Sequence, residues 1–297
     1  MKTNKVFTAT LIAALAFTAC SNDEEINNSR EEVKIVATIG APTDSKLKAT
    51  FENDGSGEFE VGDRFSLLYF SPSLLAGGLM TYEVGGGTPL YWDLIAPDGN
   101  PIDFTAWYPV YEESGTAQYK VADAATEAAK DLLMATKLPS VSKLQSVNLD
   151  FGHVMHKLVI TLATNYYSTA DLDNATITLK NLKSDASVNF RDGTVDDAAA
   201  SGTDLYLPET GAWTEFIVAP QTLTAGANMI EILIGGKTFM YKVPASITKL
   251  ESGKILKLNL DIRRDAVVLA YGAIAAWGLQ DEIDEEIDFY EGIPEPQ

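Results

Sequence analysis

The sequence predicts an all-β fold of sandwich type, and three observations carry that prediction. Apolar residues recur at every second position in many short runs, the period of a strand with one buried face. Clusters of Gly, Pro, Asp and Asn separate these runs at near-regular spacing, as strands joined by tight turns require. Helical periodicity is almost absent, which favours sheets packed on sheets. With 297 residues, 46% of them hydrophobic, the chain has the size for two domains of about 100–150 residues each and enough apolar side chains for real cores.

The chain opens differently. Lys2 and Lys5 give a positive start, and the apolar run from Val6 to Phe17 has the length of a signal h-region and is too short to span a bilayer. An export signal over residues 1–19 is expected. Its end, FTAC, sets Thr18 and Ala19 before Cys20, the only cysteine, and resembles the lipobox of bacterial lipoproteins, with Phe17 where leucine is usual. That resemblance implies that the Cys20 thiol is alkylated with diacylglycerol, that the signal is cleaved before it, and that acyl chains tether the mature protein. Each buried methylene then contributes about 0.8 kcal/mol to membrane attachment. A lone cysteine forms no intramolecular disulfide. SNDEE, directly after it, resembles the acidic patch that sends some lipoproteins of Gram-negative anaerobes to the outer face of the outer membrane. Residues 20–32 are charged and poor in apolar side chains, so they read as an acidic tether.

Order is expected from Val33. VKIVATI alternates Val33, Ile35 and Ala37 against Lys34 and Val36. RFSLLYF, IDFTAWYP, VNLDF, KLVITLA, ATITLKNL, TEFIVAP, MIEILIG, KTFMYKV, KILKLNLDI and AVVLAYGAI follow, punctuated by NDGSGE, GGGTP, PDGNP, RDGT and IGGK. The exception is VADAATEAAKDLLMA, residues 121–135, rich in good helix formers, with Leu132 and Leu133 placed to pack. A short helix or a turn-rich connection is expected there. TNYYSTADLDN, residues 164–174, is polar and interrupts the strand pattern, which sets a boundary between domains over 33–165 and 166–280. Residues 281–297 form an acidic tail in which dense like charge opposes a stable helix.

The formal charge of −20 and a pI near 4.4 repel phosphate backbones, so nucleic acid is not an expected partner. Both histidines lie in FGHVMH. On a strand His153 and His156 point to opposite faces, and no further His or free Cys completes a zinc site, so structural roles and no metal or cofactor are expected. There is no GxSxG elbow. DGSGEFEVGD, residues 54–63, alternates oxygen ligands but lacks the EF-hand register, with Val61 and Gly62 where ligands belong, and reads as a glycine-rich hairpin. EVGGGT has no following Lys or helix to make a phosphate loop. Tyr91, Trp92, Trp107, Tyr108, Tyr111, Tyr166 and Tyr167 suit either sugar stacking or core packing, the commoner role.

Taken in order, these runs resemble the fimbrillin-like proteins, or type V pilins, of Gram-negative anaerobic bacteria. KLKATFENDGSGEFEVGDRFSLLYF is similar to the family's first turn and strand. TYEVGGGTPLYW and PIDFTAWYP resemble its hairpin and aromatic strand, and DLLMA with VNLDFGHVMHKLVITL resembles the end of its first domain. TEFIVAPQTLTAGANMIEILIGGKTFMYKVP and LESGKILKLNLDI are similar to its Pro-Gln strand, hairpin and Gly-Lys strand, and Trp277 in GAIAAW also fits.

The resemblance implies two tandem transthyretin-like β-sandwich domains and a non-enzymatic role in surface fimbriae or adhesion. The partners it implies are other fimbrillin subunits and a host protein or glycan. An open sandwich edge presents unpaired backbone groups that a neighbouring subunit's strand satisfies. In the family's shaft subunits a trypsin-like protease removes the first strand, and the next subunit's C-terminal strand fills the groove. Carried over, VKIVATI is the strand removed and the cut falls near Lys46 or Lys48. The donor strand is then AVVLAYGAIAAW, through Val267, Leu269, Tyr271, Ile274 and Trp277. The loop holds lysine where arginine is commonest. Arg30 precedes the strand and Arg64 lies within the next, so neither would release it neatly. The charged tail departs from a donor strand and raises an anchor or tip role.

Two other classes remain open. A glycan-binding surface lipoprotein of a nutrient-uptake system would show exposed paired aromatics flanked by Asp or Asn. A surface hydrolase would need two carboxylates facing each other in a cleft.

Overall fold

In the computed structural model the described residues are 30–40, 59–121, 131–204, 208–276 and 283–286. Cys20, Lys46, Lys48 and Trp277, with the export signal and most of the tether, lie outside them. Residues Glu31–Gln297 belong to one compact unit. The strands in chain order are β1 (Ile35–Ile39), β2 (Arg64–Ser71), β3 (Ala76–Glu83), β4 (Ile102–Tyr108), β5 (Thr116–Lys120), β6 (Leu133–Val141), β7 (Val147–His153), β8 (His156–Ala163), β9 (Thr176–Leu179) and β10 (Lys183–Asn189). They continue as β11 (Thr194–Asp204), β12 (Pro208–Thr210), β13 (Trp213–Val218), β14 (Gln221–Thr222), β15 (Asn228–Ile234), β16 (Lys237–Lys242), β17 (Lys249–Leu250), β18 (Lys254–Ile262), β19 (Val267–Ala276) and β20 (Ile283–Glu286). Two short helices, α1 (Trp92–Ile95) and α2 (Thr169–Asp173), complete the described elements. The all-β reading holds.

A six-stranded sheet runs β1-β7-β6-β4-β2-β3. Its centre, β4, is buried on both faces. Ile102, Phe104 and Ala106 pack with Phe65, Leu67, Leu133, Leu149 and Phe151, and Trp92 and Ile95 of α1 join this face. Trp107 and Met134 face the other way, against Tyr119, Ala186, Val188 and Phe190 around the small sheet β11-β10-β5. Burial on two faces explains why IDFTAWYP is nearly continuous in apolar residues rather than alternating.

A four-stranded sheet, β12-β9-β15-β16, and a five-stranded sheet, β13-β8-β18-β19-β20, supply the third core. Ile177, Ile230, Ile232 and Phe239 from the first meet Leu158, Ile160, Phe216, Leu256, Leu258 and Leu260 from the second. This is sandwich packing, with inner side chains taken from alternate positions. IGGK makes the expected tight turn between β15 and β16, where Gly235 and Gly236 hold φ of 55° and 75°, conformations that glycine adopts without steric cost.

The sheets exchange strands across the expected boundary at 165/166. β5 pairs with β10, from beyond it, and β8, from before it, lies between β13 and β18. Sheet membership changes at Val154–Met155, between β7 and β8. The expected helix or turn-rich connection over 121–135 is corrected at its end. Leu133 starts β6, with Leu132 and Leu133 buried on opposite sides of the sheet. Two-sided burial there outweighs helix propensity, which is only a few tenths of a kcal/mol per residue. Residues 122–130 lie outside the described residues.

Candidate functional site

The six-stranded sheet ends on one side at β1 and on the other at β3. Among the described residues, β1 is joined to the sheet only through β7, in parallel register from Ile35↔Val147 to Ile39↔Phe151. Ile35, Ala37 and Ile39 face the core, with Ile39 buried. Val36, on the alternate face, is exposed, and Thr38 Oγ1 donates to Asp150 Oδ1 at 2.6 Å. Gly40 N–H donates to the Phe151 carbonyl (2.8 Å) and Val33 N–H to that of Leu90 (2.7 Å), so both ends of the strand are tied to the body. Arg64 opens β2 and its guanidinium reaches Glu83 Oε2 on β3 at 2.7 Å. A cut at Arg64 would therefore fall inside the β2–β3 hairpin rather than between β1 and β2.

At the other terminus, β19 pairs antiparallel with β18 from Lys254↔Ala276 to Ile262↔Val267. Leu260 opposes Leu269 while Asn259 opposes Tyr271, so Ala270 is an extra residue, a β-bulge. The bulge reverses parity along the strand. Val267, Leu269 and Ile274 pack on the core, whereas Tyr271 shares the outer face with Asn259. In the strand as it packs within this chain, the expected donor residues Val267, Leu269, Tyr271 and Ile274 are thus divided between two faces, and Trp277 lies outside the described residues. The odd spacing between Leu269 and Ile274 is the sequence signal for it, since two residues five apart share a face only if one residue is extra. β20 pairs with Ala273, Ile274 and Ala275, and the described pairing leaves Val267–Gly272 without a strand on that side.

The two histidines bracket the crossover between the sheet groups. His153 Nδ1 donates to the buried Asp131 Oδ2 at 2.6 Å. His156 Nδ1 donates to the Glu251 carbonyl at 2.8 Å. Ser252 Oγ donates to the Val154 carbonyl (2.9 Å) and Gly253 N–H to that of Met155 (3.0 Å). Residues 251–253 thus grip residues 153–156. Gly253 sits at φ 70°, and a Cβ there would approach the His153 carbonyl to 2.9 Å. Burial pushes the His156 imidazole down to about 4, because a charged ring would lose its hydration. Its Nε2 has no hydrogen-bond partner. Among the described residues no group of three or more His, Cys, Asp or Glu is placed to hold a metal ion.

Two surface clefts bear on the alternative readings. One, of about 270 Å³, is lined by Leu68, Phe70, Gly77, Gly78, Leu79, Ser114 and Arg191, and the Arg191 guanidinium lies 4.1 Å from the Phe70 ring centroid. The other, of about 460 Å³, is lined by Asn165, Tyr166, Asp261, Ile262, Arg263 and Arg264. Neither is lined by a pair of carboxylates. Of the aromatics considered for sugar stacking, Trp92 and Trp107 are buried, Tyr111 stacks on Phe190, and Tyr166 is 55% exposed. No described helix is long and apolar enough to cross a membrane.

The sequence profile of the fimbrillin-like family matches residues 22–277. Among curated proteins, none matches significantly. Solved structures share the fold. A candidate cell adhesion protein of Bacteroides uniformis ATCC 8492 superposes with a TM-score of 0.62 at 19% identity, over 84% of this chain and 100% of that one. A second, from Bacteroides ovatus ATCC 8483, gives 0.59 at 18% identity over 85% and 99%. The tip fimbrial protein Mfa3 of Porphyromonas gingivalis, with a C-terminal truncation, gives 0.51 at 10% identity over 83% and 100%.

Proposed function

We propose that this chain, which belongs to the fimbrillin-like family, is a non-enzymatic, lipid-anchored surface subunit of a fimbria or an adhesin that joins its neighbours by strand addition. The observation that carries the mechanism is the state of β1. Among the described residues it is a five-residue edge strand with one strand partner, paired parallel, and parallel pairing is slightly the less stable kind. Removing it would bare the edge of β7 over a core lined by Val147, Leu149 and Phe151. An incoming strand with alternate apolar side chains would satisfy both the freed backbone groups and that core.

The core-facing side of β19, with Val267, Leu269 and Ile274, has the pattern such a donor needs, and the bulge at Ala270 would have to be accommodated or straightened. Cleavage near Lys46 or Lys48 would free β1, and Cys20 would carry the lipid. Division into two transthyretin-like modules, with strands exchanged between them, is part of the same reading. Intact mass and N-terminal sequencing of the protein recovered from the cell surface test it. A chain starting after Lys46 or Lys48 in large assemblies means a polymerising subunit. A chain starting at acylated Cys20 means a fimbrial anchor or a stand-alone adhesin. A chain with neither end rejects the proposal.

A glycan-binding lipoprotein is the second reading, and the exposed Tyr166 beside the cleft of Asn165 and Asp261 favours it. Glycan-array binding that is lost in Tyr166→Ala would establish it, and a silent array would remove it.

A further inference from the structure

We propose that the end of the six-stranded sheet at which the chain enters the fold is a lipid-contacting surface, resting on the membrane that holds the Cys20 anchor. The inference rests on the anchor proposed above and adds a second, non-covalent contact to it.

Strand direction brings the relevant loops together. β2 runs antiparallel to β4, β4 to β6 and β6 to β7, and β1 is parallel to β7. The β2–β3 turn, the β6–β7 turn, the approach to β4 and the start of β1 therefore share one end of the sheet. Of the five exposed leucines among the described residues, four belong to these connections. Leu74 is 45% exposed, Leu75 80%, Leu94 59% and Leu144 83%. An apolar group of this kind, gathered at one end rather than scattered, marks an interaction surface.

Conformation adds an independent observation. Leu75 and Leu144 hold φ of 50° and 76°, the left-handed region that glycine and asparagine enter more easily. Leucine at such turns is unfavourable for the isolated fold both sterically and in water. Strained, exposed residues of this sort point to a role outside folding. The polar groups of the same loops are already engaged. Ser73 Oγ donates to Asp98 Oδ2 at 2.6 Å, Ser142 N–H to Gln145 Oε1 at 2.7 Å, and Lys143 Nζ pairs with Glu31 Oε2 at 3.0 Å.

The tether selects the occupant. Glu31 stands eleven residues after Cys20 and accepts a hydrogen bond from Trp92 N–H at this same end. Eleven residues span about 40 Å at full extension and roughly 20 Å as a flexible coil. A lipid on Cys20 would hold this end, rather than the opposite one, near the bilayer. A patch too small to bind membranes from solution then acts at high effective concentration. Asp93 and Asp98 at this end predict contact with neutral rather than anionic headgroups.

The test uses the full acylated chain in phosphatidylcholine vesicles. Cys20 is the sole cysteine, so the parent takes up no thiol dye when the Cys20 sulfur carries its diacylglycerol. An environment-sensitive dye is then placed in Leu75→Cys, Leu144→Cys and Val61→Cys. Val61, 83% exposed, precedes β2 at the opposite end of the sheet. Quenching by brominated lipid at least twofold stronger at 75 and 144 than at 61, and weaker with anionic vesicles, is expected. Equal quenching at all three positions, or none at any, overturns the proposal while leaving the anchor intact. A blue shift at 75 and 144 that needs no lipid and rises with protein concentration assigns the surface to a second copy and also overturns it. A parent chain that takes dye at Cys20 and does not float with vesicles rejects the anchor, and this inference with it.

Discussion

The first strand of this chain, β1, and its long C-terminal strand, β19, are held in opposite ways. β1 is short, parallel and bound to one neighbour at an edge, while β19 is ten residues long, antiparallel to β18 and flanked over part of its length by β20. β1 places three side chains on a core that the rest of its sheet, with α1, already lines. β19 closes a sandwich whose two sheets depend on each other. The difference teaches that the N-terminal strand is the less firmly held of the two, and that the proposed exchange at the C-terminus would have to involve side chains now packed in cis.

The largest expected effect breaks the comparison directly. Ile232→Ala, in a position with no solvent exposure on β15, should cost about 2–5 kcal/mol, whereas Ile35→Ala on the half-buried β1 should cost about 1 kcal/mol. Urea midpoints of the two variants measure this, and equal shifts would make β1 integral to the fold. Next in size is the crossover between the groups. His156 has a folded value near 4 against about 6.5 unfolded. Between those values the unfolded chain binds the proton and the native one does not, so stability rises with pH through the window and is lost as pH falls from 6.5 to 4. The full change is about 3 kcal/mol. His156→Gln should flatten this component, seen as a smaller drop in Tm from pH 7 to pH 5 than in the parent, and an unchanged drop would remove His156 as its cause.

Gly253→Ala sharpens the same region. The positive φ and the close His153 carbonyl predict a loss of about 1–3 kcal/mol by thermal melting, and a neutral result would mean that the 251–253 turn does not clamp the crossover. The smallest effect belongs to the surface. Arg64 and Glu83 tie β2 to β3 at 2.7 Å, but the Arg64 side chain is 65% exposed. A double-mutant cycle should return under about 1 kcal/mol, and a larger coupling would mean that the β3 edge is held more firmly than the β1 edge.

Legibility varied with the kind of information each feature needed. The alternation in VKIVATI and KILKLNLDI and the glycines of IGGK correctly predicted strands and a turn, because burial of one face and positive φ are properties of consecutive residues. FGHVMH read as one strand with its histidines on opposite faces, whereas His153 closes β7 and His156 opens β8 in another sheet, each with its own hydrogen-bond partner. Ser168 and Asp171 form a capping box on α2, each side chain bonding the other's backbone N–H, and the S-x-x-D spacing within TNYYSTADLDN would have located that helix. The clasp on the crossover had no local signal, because its donors come from residues 251–253.

By itself, then, the sequence determined that the fold is built of β-sheets in the fimbrillin-like manner and located the strands whose apolar residues alternate or run together, while β5, β6, β10 and β11 were not among the runs it marked. Only the tertiary structure decided who pairs with whom. It set the parallel partners of β1 and β8, the pairing of β5 with β10, the two-sided burial of Leu132 and Leu133 where β6 begins, and the bulge that turns Tyr271 away from Leu269. The physical reason is that side-chain periodicity records which face of a strand is buried. Partner choice and register are settled by closing long loops around a shared core, in energies that no short segment carries.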